Sequence, residues 1–214
     1  RDIDELNIKR AMIYPRATEH VPDMIRLVER LISTGHAYQV GGSVYYDLDT
    51  FPRYGRLSGN PRDALVAGAR VEVREEKRHP YDFALWIQKE GHLLQWNSPW
   101  GQGYPGWHIE CSAMAMRYLG ETIDIHTGGE DNIFPHHECE IAQSEGATGK
   151  PFARFWLHTR FLLVDGQKMS KSLGNIYRLQ DIKQRGYSAR ALRYLLISNN
   201  YRQPMNFTFE ALSA

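Results

Sequence analysis

From Trp107 to Val164 the chain alternates between helical and strand periodicity, and that alternation constrains its fold more than any other feature. Ile109, Ala113, Met116 and Leu119 recur at helical spacing, and Gly120 follows as a stop. Ile123-Asp124-Ile125-His126 then reads as a strand running into the glycine turn Gly128-Gly129. Pro135 opens a second helix, because its fixed φ suits a first helical turn, and Phe161-Leu162-Leu163-Val164 reads as a buried strand. Helices alternating with strands predict an α/β fold around a parallel sheet. In open sheets of this kind ligands gather beyond the C-terminal ends of the strands.

The first half of the chain follows a different pattern. Val21, Met24, Ile25, Val28, Leu31 and Ile32 form an amphipathic helical stripe closed by Gly35. Ala37 to Val40 and Ser43 to Leu48 flank Gly41-Gly42, the spacing of a two-residue hairpin. Residues 49–68 are polar and turn-rich. Val71-Glu72-Val73 and Phe83-Ala84-Leu85-Trp86 read as short strands joined by the charged run Arg74 to Arg78. Leu179 to Asn199 has helical character, with Arg190 and Arg193 spaced to share a face.

Three groups of residues carry chemistry. Lys168-Met169-Ser170-Lys171-Ser172, followed by Leu173-Gly174-Asn175, places two lysines three apart among small hydroxyl residues, directly after the Phe161 strand. Such a loop can fold two positive charges over a polyphosphate; its bland alternative is a solvated basic turn. Gly106-Trp107-His108-Ile109-Glu110-Cys111 and Pro135-His136-His137-Glu138-Cys139-Glu140 open two helices, and His136 and Glu140, four apart, leave the same face. A thiolate, an imidazole and a carboxylate are a plausible zinc set, the alternative being a surface His–Glu pair. Cys139 is one residue from Glu140, a step of about 100° around the helix, which separates the two as ligands of one ion. Finally, Gly128 and Gly129 let the backbone pass close to a ligand, and Asp131 beyond them can accept hydrogen bonds from ribose hydroxyls or an ammonium group.

Taken together, these segments resemble the cysteinyl-tRNA synthetases, a family of class I aminoacyl-tRNA synthetases. The resemblance runs through Asp82-Phe83-Ala84-Leu85-Trp86, Ser98-Pro99-Trp100-Gly101, Trp107 to Met114, Asp124 to Asp131, the His136 segment, Ile141 to Glu145 and the Lys168 loop. It covers essentially the whole chain. It implies a Rossmann-like catalytic domain, present here as its second half, with an inserted α+β segment and the start of a helical stem-contact region. On that reading residues 1–20 lead into the insertion, 21–97 form it, 98–178 complete the nucleotide-binding domain, and 179–214 begin the stem-contact region.

The resemblance also implies a reaction and its partners. ATP, L-cysteine and tRNA(Cys) are the expected substrates, with one Zn2+ held by Cys111, His136 and Glu140 and Mg2+ accompanying ATP. Gly128, Gly129, Asp131 and the loop Lys168, Met169, Ser170, Lys171 and Ser172 are the expected ATP- and adenylate-binding positions. Lys168 and Lys171 are the expected catalytic lysines. Trp107 is expected over the bound amino acid and His126 near its zinc-bound end. From the residues alone, Trp107 serves equally as core packing and His126 as outer support for the metal. No role follows for His137.

This sequence departs from the family in one respect. Class I synthetases carry a His-x-Gly-His motif after their first strand; only Thr34-Gly35-His36 echoes it here. That motif and a fourth zinc ligand, another cysteine, are expected to precede Arg1, so the fragment alone is expected to activate cysteine poorly or not at all. Two other classes stand beside the synthetase reading. One is a ligase joining cysteine to a small amino sugar, whose pattern lacks the Glu at position 140 and the His at 126; both are present here. The other is a non-catalytic paralogue or split subunit that binds zinc or RNA.

Composition narrows the setting. With 26 Lys+Arg against 25 Asp+Glu, net charge supplies no strong field for nucleic acid, so local patches must do so. Two cysteines, no signal peptide and no apolar run long enough to span a bilayer predict a protein of the reducing cytoplasm rather than of a membrane, expected to be a monomer.

Overall fold

The computed structural model describes residues 1–60 and 76–213. The expected strand Val71-Glu72-Val73, and Arg74 at the start of the charged run, lie outside the described residues. By its internal contacts the chain forms two compact units: Pro15–Thr127 with Asp131–Trp156, and Arg1–Tyr14 with Gly128–Glu130 and Leu157–Ala214.

The first unit is built on α2 (Val21–Ser33), which follows a short α1 (Asp2–Glu5) of the other unit. Val21, Met24, Leu27, Val28 and Leu31 are buried along one side of α2. Each such side chain, fully withdrawn from water, contributes about 1.5–3 kcal/mol. Gly35 ends the helix in the left-handed region at φ 81°, and the His36 N–H reaches back to the Leu31 carbonyl at 2.9 Å. The expected hairpin follows as β1 (Ala37–Val40) and β2 (Ser43–Tyr46), paired with Val40 opposite Ser43. With β3 (Phe83–Ile87), β4 (Trp96–Ser98) and β5 (Gly101–Pro105) they form an antiparallel five-stranded sheet in the order β1-β2-β3-β5-β4.

Asp82 immediately precedes β3 and is 1% exposed, so its charge needs partners. It accepts from the Tyr38 hydroxyl at 2.7 Å, the Leu48 N–H at 3.1 Å and the His79 N–H at 3.2 Å. Its part in the family-like segment is therefore to tie that edge of the sheet together. Arg78, the end of the charged run, lies over the Tyr38 ring and pairs with Asp47 at 3.2 Å, so its charge is engaged within the fold.

Two helices pack against α2: α3 (Ile109–Leu119) and α4 (Glu138–Thr148). Ile109, Ala113, Cys139, Ala142 and Ala147 from these helices join Met24, Val28, Leu85 and Trp86 in one core. The expected stripe and glycine stop of α3 hold, with Gly120 at its C-cap. Gly146 of α4 is required by close approach, because a Cβ there would stand 2.6 Å from the Tyr46 hydroxyl oxygen. The expected strand at Ile123 appears as β6 (Ile123–Gly129), which pairs with β7 (Ala153–Thr159).

The second unit holds a small three-stranded sheet in the order β10-β8-β9. Its strands are β8 (Leu162–Val164), β9 (Gln167–Lys168) and β10 (Met205–Phe207); β8 runs parallel to β10 and antiparallel to β9. Val164, Ile182, Phe207 and Leu212 form its core. The span Leu179 to Asn199, read as one helical region, is two helices, α5 (Leu179–Gln184) and α6 (Ala189–Ser198). Gly186 at φ 90° interrupts them, and Ser188 restarts the helix by accepting the Ala191 N–H at 3.1 Å. Arg193 donates to the Leu6 and Asn7 carbonyls at 2.8 and 2.6 Å, so it fastens the N-terminal segment. A last short helix, α7 (Phe209–Ser213), closes the unit. Among the described residues no helix is long and apolar enough to cross a membrane.

Candidate functional site

The metal-ligand candidates all lie in the unit built on α2. Gly106 sets up the first of them: its N–H bonds the Leu85 carbonyl at 2.8 Å, and a Cβ there would collide with the Ala84 carbonyl oxygen at 2.0 Å. Only glycine lets the chain leave β5 so close to β3 before it turns into α3. Trp107 follows, then His108 at the N-cap, and Cys111 on the first turn of α3. On the facing segment, the turn Ile133–His137 leads directly into α4, and the two carry His136 and Glu140. His126 comes from β6.

Glu140 is the centre of the arrangement. It is 1% exposed, and its two oxygens stand 2.7 Å from His136 Nε2 and 2.8 Å from His126 Nε2. Burial pushes its pKa up, but the two imidazoles outweigh that and hold the carboxyl at about 2. Neither oxygen has an aligned hydrogen-bond partner, so both imidazoles approach at ion-pair distance but off the hydrogen-bond axis. A buried carboxylate left in this state costs free energy unless something else engages it.

Cys111, His136 and Glu140 each offer a ligand atom, and these atoms lie within 4.8 Å of one another. Ligands at about 2.0–2.3 Å around a tetrahedral zinc stand roughly 3.5 Å apart, so the set is already gathered on the scale of one ion. His126, His137 and Glu140 form a second gathering within the same limit, with Glu140 common to both. The donor chemistry, one soft thiol with nitrogen and oxygen, fits zinc. Burial lifts the Cys111 thiol to about 12, with the Glu140 and Glu110 carboxylates adding to it. Both cysteines are free thiols.

The neighbours sort themselves clearly. Trp107 is 70% exposed, which removes the core-packing alternative, and its ring centroid lies 5.3 Å from that of His136. His126 is packed against Phe152, Trp156 and His137. His137 is buried beside His126 and Trp156, its ring centroid 5.7 Å from that of His136. Cys139 is buried with its Sγ 3.5 Å from the Tyr54 hydroxyl and takes no part in either ligand gathering, as its helical position requires.

Sequence reasoning missed two contributors. Glu138, also 1% exposed, accepts the Gly55 N–H at 2.9 Å and the Ser58 N–H at 2.7 Å. Its partners lie 83 and 80 positions upstream, beyond any local spacing rule. His108 faces His136 with the two Nδ1 atoms 2.7 Å apart; its adjacency to Trp107 in sequence is the only hint. Burial, helped by His136 and opposed by Glu140, lowers its pKa to about 4, so it is neutral.

The lysine loop belongs to the other unit. Lys168 ends β9 opposite Leu163, so it is fixed by a strand ladder, while Lys171 lies beyond it in a turn; both are exposed. Met169 packs against the Val164–Phe207 core and roots the loop. Asn175, unassigned by sequence, spans the loop: its Oδ1 accepts the Ser170 N–H at 2.8 Å and its Nδ2 donates to the Lys168 carbonyl at 3.1 Å. The Leu173 N–H donates to Ser170 Oγ at 3.3 Å, and Ser172 Oγ lies 3.2 Å from that same oxygen. Gly128 and Gly129 end β6, and Glu130 beyond them pairs with Arg160 at 2.6 Å and accepts the Phe161 N–H at 2.8 Å. Asp131 lies in the unit built on α2 and is exposed.

Comparison with known proteins agrees with these motifs. The chain is 53% identical over 215 residues to a cysteine–tRNA ligase of Chlorobaculum tepidum, covering 100% of this chain and 44% of that protein. It is 55% identical over 212 residues to the enzyme of that name from Caldicellulosiruptor saccharolyticus, covering 99% of this chain and 45% of the relative. The chain thus spans less than half the length of these curated relatives. Among solved structures it resembles Mycobacterium tuberculosis methionyl-tRNA synthetase in complex with methionyl-adenylate, at TM-score 0.68 and 16% identity, over 99% of this chain and 52% of that one. That likeness bears on the fold, which is the mixed α/β Rossmann-like type expected. The family model for the class I (C) tRNA synthetase catalytic domain matches residues 1–214, and the chain belongs to that family.

Proposed function

We propose that this chain is part of a cysteine–tRNA ligase, which activates cysteine with ATP and transfers it to tRNA(Cys). The observation that carries this reading is the gathering of Cys111 and His136 around the buried Glu140 carboxylate, in a chain that also carries the complete Lys168 loop.

Cysteine differs from serine by one atom, and a hydrophobic pocket would separate two groups that similar by only about 1–3 kcal/mol. Zinc held by Cys111, His136 and Glu140 would supply the missing discrimination, because it binds a thiolate far better than a hydroxyl. Trp107, exposed beside His136, offers an apolar ring face to the bound amino acid. His126 holds one oxygen of Glu140 and so fixes the carboxylate's orientation.

In the first step a cysteine carboxylate oxygen attacks the α-phosphorus of ATP, and the bond from that phosphorus to the departing pyrophosphate breaks. In the second, a hydroxyl of the terminal tRNA ribose attacks the activated carbonyl carbon and AMP leaves. Such phosphoryl-centred chemistry depends on alignment and charge neutralisation. Lys171 is assigned to the charge developing on the phosphates, and Lys168 to ordering the loop and reaching the same groups. Mg2+ accompanies ATP, and Gly128, Gly129 and Asp131 line the adenylate. The four-part division expected from the sequence, a monomeric state and a cytoplasmic setting belong to this reading. Glu140 and His126 in direct contact favour tRNA as acceptor over a small amino sugar.

The test is charging of tRNA(Cys) with labelled cysteine by the product of the complete gene. Charging is expected; pyrophosphate exchange without charging would point to another acceptor, and neither reaction would point to a binding paralogue.

A further inference from the structure

We propose that the cleft between α2 and α3, on which Arg26, Arg30 and Arg117 converge, holds the phosphate backbone of the tRNA substrate. This rests on the reading of the chain as part of a cysteine–tRNA ligase.

The formal charge of the chain is only +1, so a nucleic acid meets no strong overall attraction and needs a place where cations are concentrated. The groove where α2 packs on α3 is such a place. It is an open cleft of about 290 Å³ with an apolar floor made by Leu27, Ala113 and Met116. Arg26 and Arg30, four apart on α2, leave the same face and line it from one helix; Arg117, in the last turn of α3, lines it from the other.

Two carboxylates also line the cleft, and each is already answered. Asp23 pairs with Arg26, three residues on along α2. Glu121 lies 2.8 Å from Arg30 and 2.6 Å from Lys150, which reaches it from beyond the end of α4. Arg117 has no ion pair among the described residues. Four cations thus meet two carboxylates, and one guanidinium in the recess is left over.

Positive charge above an apolar floor acts more strongly on an anion than the same charge on a flat, wet surface, because less water screens it. A guanidinium fork also matches two phosphate oxygens at once, which an ammonium does not. Arg26 and Arg30 hold their carboxylates through exposed pairs, with 62% and 44% of their side chains accessible, and such pairs are weak enough to exchange for a phosphate. An anionic ligand therefore finds one free arginine and two that can turn to it. Among polyanions, the backbone of tRNA is the one the proposed reaction brings to this chain. Contacts of this kind carry no base information, so the cleft positions the tRNA without reading its sequence.

The experiment is binding of unacylated tRNA(Cys) to the product of the complete gene, by fluorescence anisotropy across a salt series. Wild type is compared with Arg117→Gln, the double variant Arg26→Gln/Arg117→Gln, and Lys89→Gln. Lys89 is an exposed lysine between β3 and β4 and controls for a charge lost outside the cleft. Each phosphate contact removed should lower the salt slope by about 0.7–0.9. Arg117→Gln is expected to weaken binding about 5-fold and the double variant about 25-fold, for all tRNA sequences alike. Lys89→Gln is expected to keep wild-type affinity and slope. Phenylglyoxal modification of wild-type arginines, mapped by mass spectrometry, is a readout needing no variant: tRNA(Cys) should protect Arg117 and polyglutamate should not. Wild-type affinity in the double variant, or an equal loss in Lys89→Gln, would overturn the inference and leave the ligase reading standing. Protection of Arg117 by polyglutamate but not by tRNA would do the same, and would make the cleft a seat for an acidic protein segment. A wild-type protein that binds no tRNA(Cys) would overturn both readings.

Discussion

Glu140 meets its partners inside a packed helix bundle, whereas Lys168 and Lys171 stand in solvent on a loop shaped by its own side chains. The first arrangement is assembled from α3, α4 and β6 and depends on tertiary burial to place each group. The second is assembled locally, between Lys168 and Asn175, from a strand end, an asparagine and two serines. Recognition of a single atom type calls for fixed ligands in a dry place. Neutralising a polyphosphate calls for charges that stay ionised and can close over a ligand. On the proposed reading, the two regions differ in the way those two tasks differ.

That contrast makes the buried region the more fragile. Glu140→Ala should abolish tight zinc binding, a loss of at least about 100-fold, since a proposed ligand is removed and not merely one of its supports; wild-type zinc affinity by chelator competition in that variant would break the comparison. On the exposed side, Lys171→Ala should lower cysteine-dependent pyrophosphate exchange by about 100-fold or more in the complete protein, as expected for lost electrostatic stabilisation of a transition state. Its unfolding free energy should stay within about 0.5 kcal/mol of wild type, because the residue is exposed. A large stability change would show that the loop is less independent than its hydrogen bonds imply.

Two smaller effects sharpen the same contrast. Asn175→Ala removes both hydrogen bonds across the loop, at a net cost of about 1 kcal/mol each at most. It should slow exchange by about 10-fold, equivalent to about 1.4 kcal/mol, with zinc content untouched. Asn175→Asp, which can still accept the Ser170 N–H but cannot donate to Lys168, should fall between. Smallest of all on function, Cys139→Ala should leave zinc stoichiometry and affinity unchanged. Its cost should appear only in thermal unfolding, at about 1 kcal/mol for a small buried group; a drop in bound zinc would make Cys139 a ligand after all.

Local regularities in the sequence carry much of this. The α2 stripe, the Gly41-Gly42 hairpin, the α3 stop at Gly120 and the four-residue step from His136 to Glu140 are decided within a few positions, and all appear as expected. The break between α5 and α6 is also written locally, in Gly186 and Ser188, but a continuous helical stripe masks it. Partnerships set by three-dimensional packing are another matter. Arg193 has the spacing of a surface charge, and only the fold brings it to the Leu6 and Asn7 carbonyls. Asp82 stands in sequence as part of a signature, and two of its three donors, Tyr38 and Leu48, come from residues that the folded chain brings to it. Trp107 has two equal readings in sequence because exposure is not a local property.

Glu138 has a reach its position does not suggest. Two residues before Glu140 on the same helical turn, it grips the Gly55 and Ser58 amides and so acts as a detent on the helix's rotation about its own axis. Turning α4 enough to free Glu138 would carry Glu140 away from both imidazoles. On the proposed reading, a change at residues 51–60, remote in sequence and touching none of the candidate ligands, would surface as altered zinc affinity.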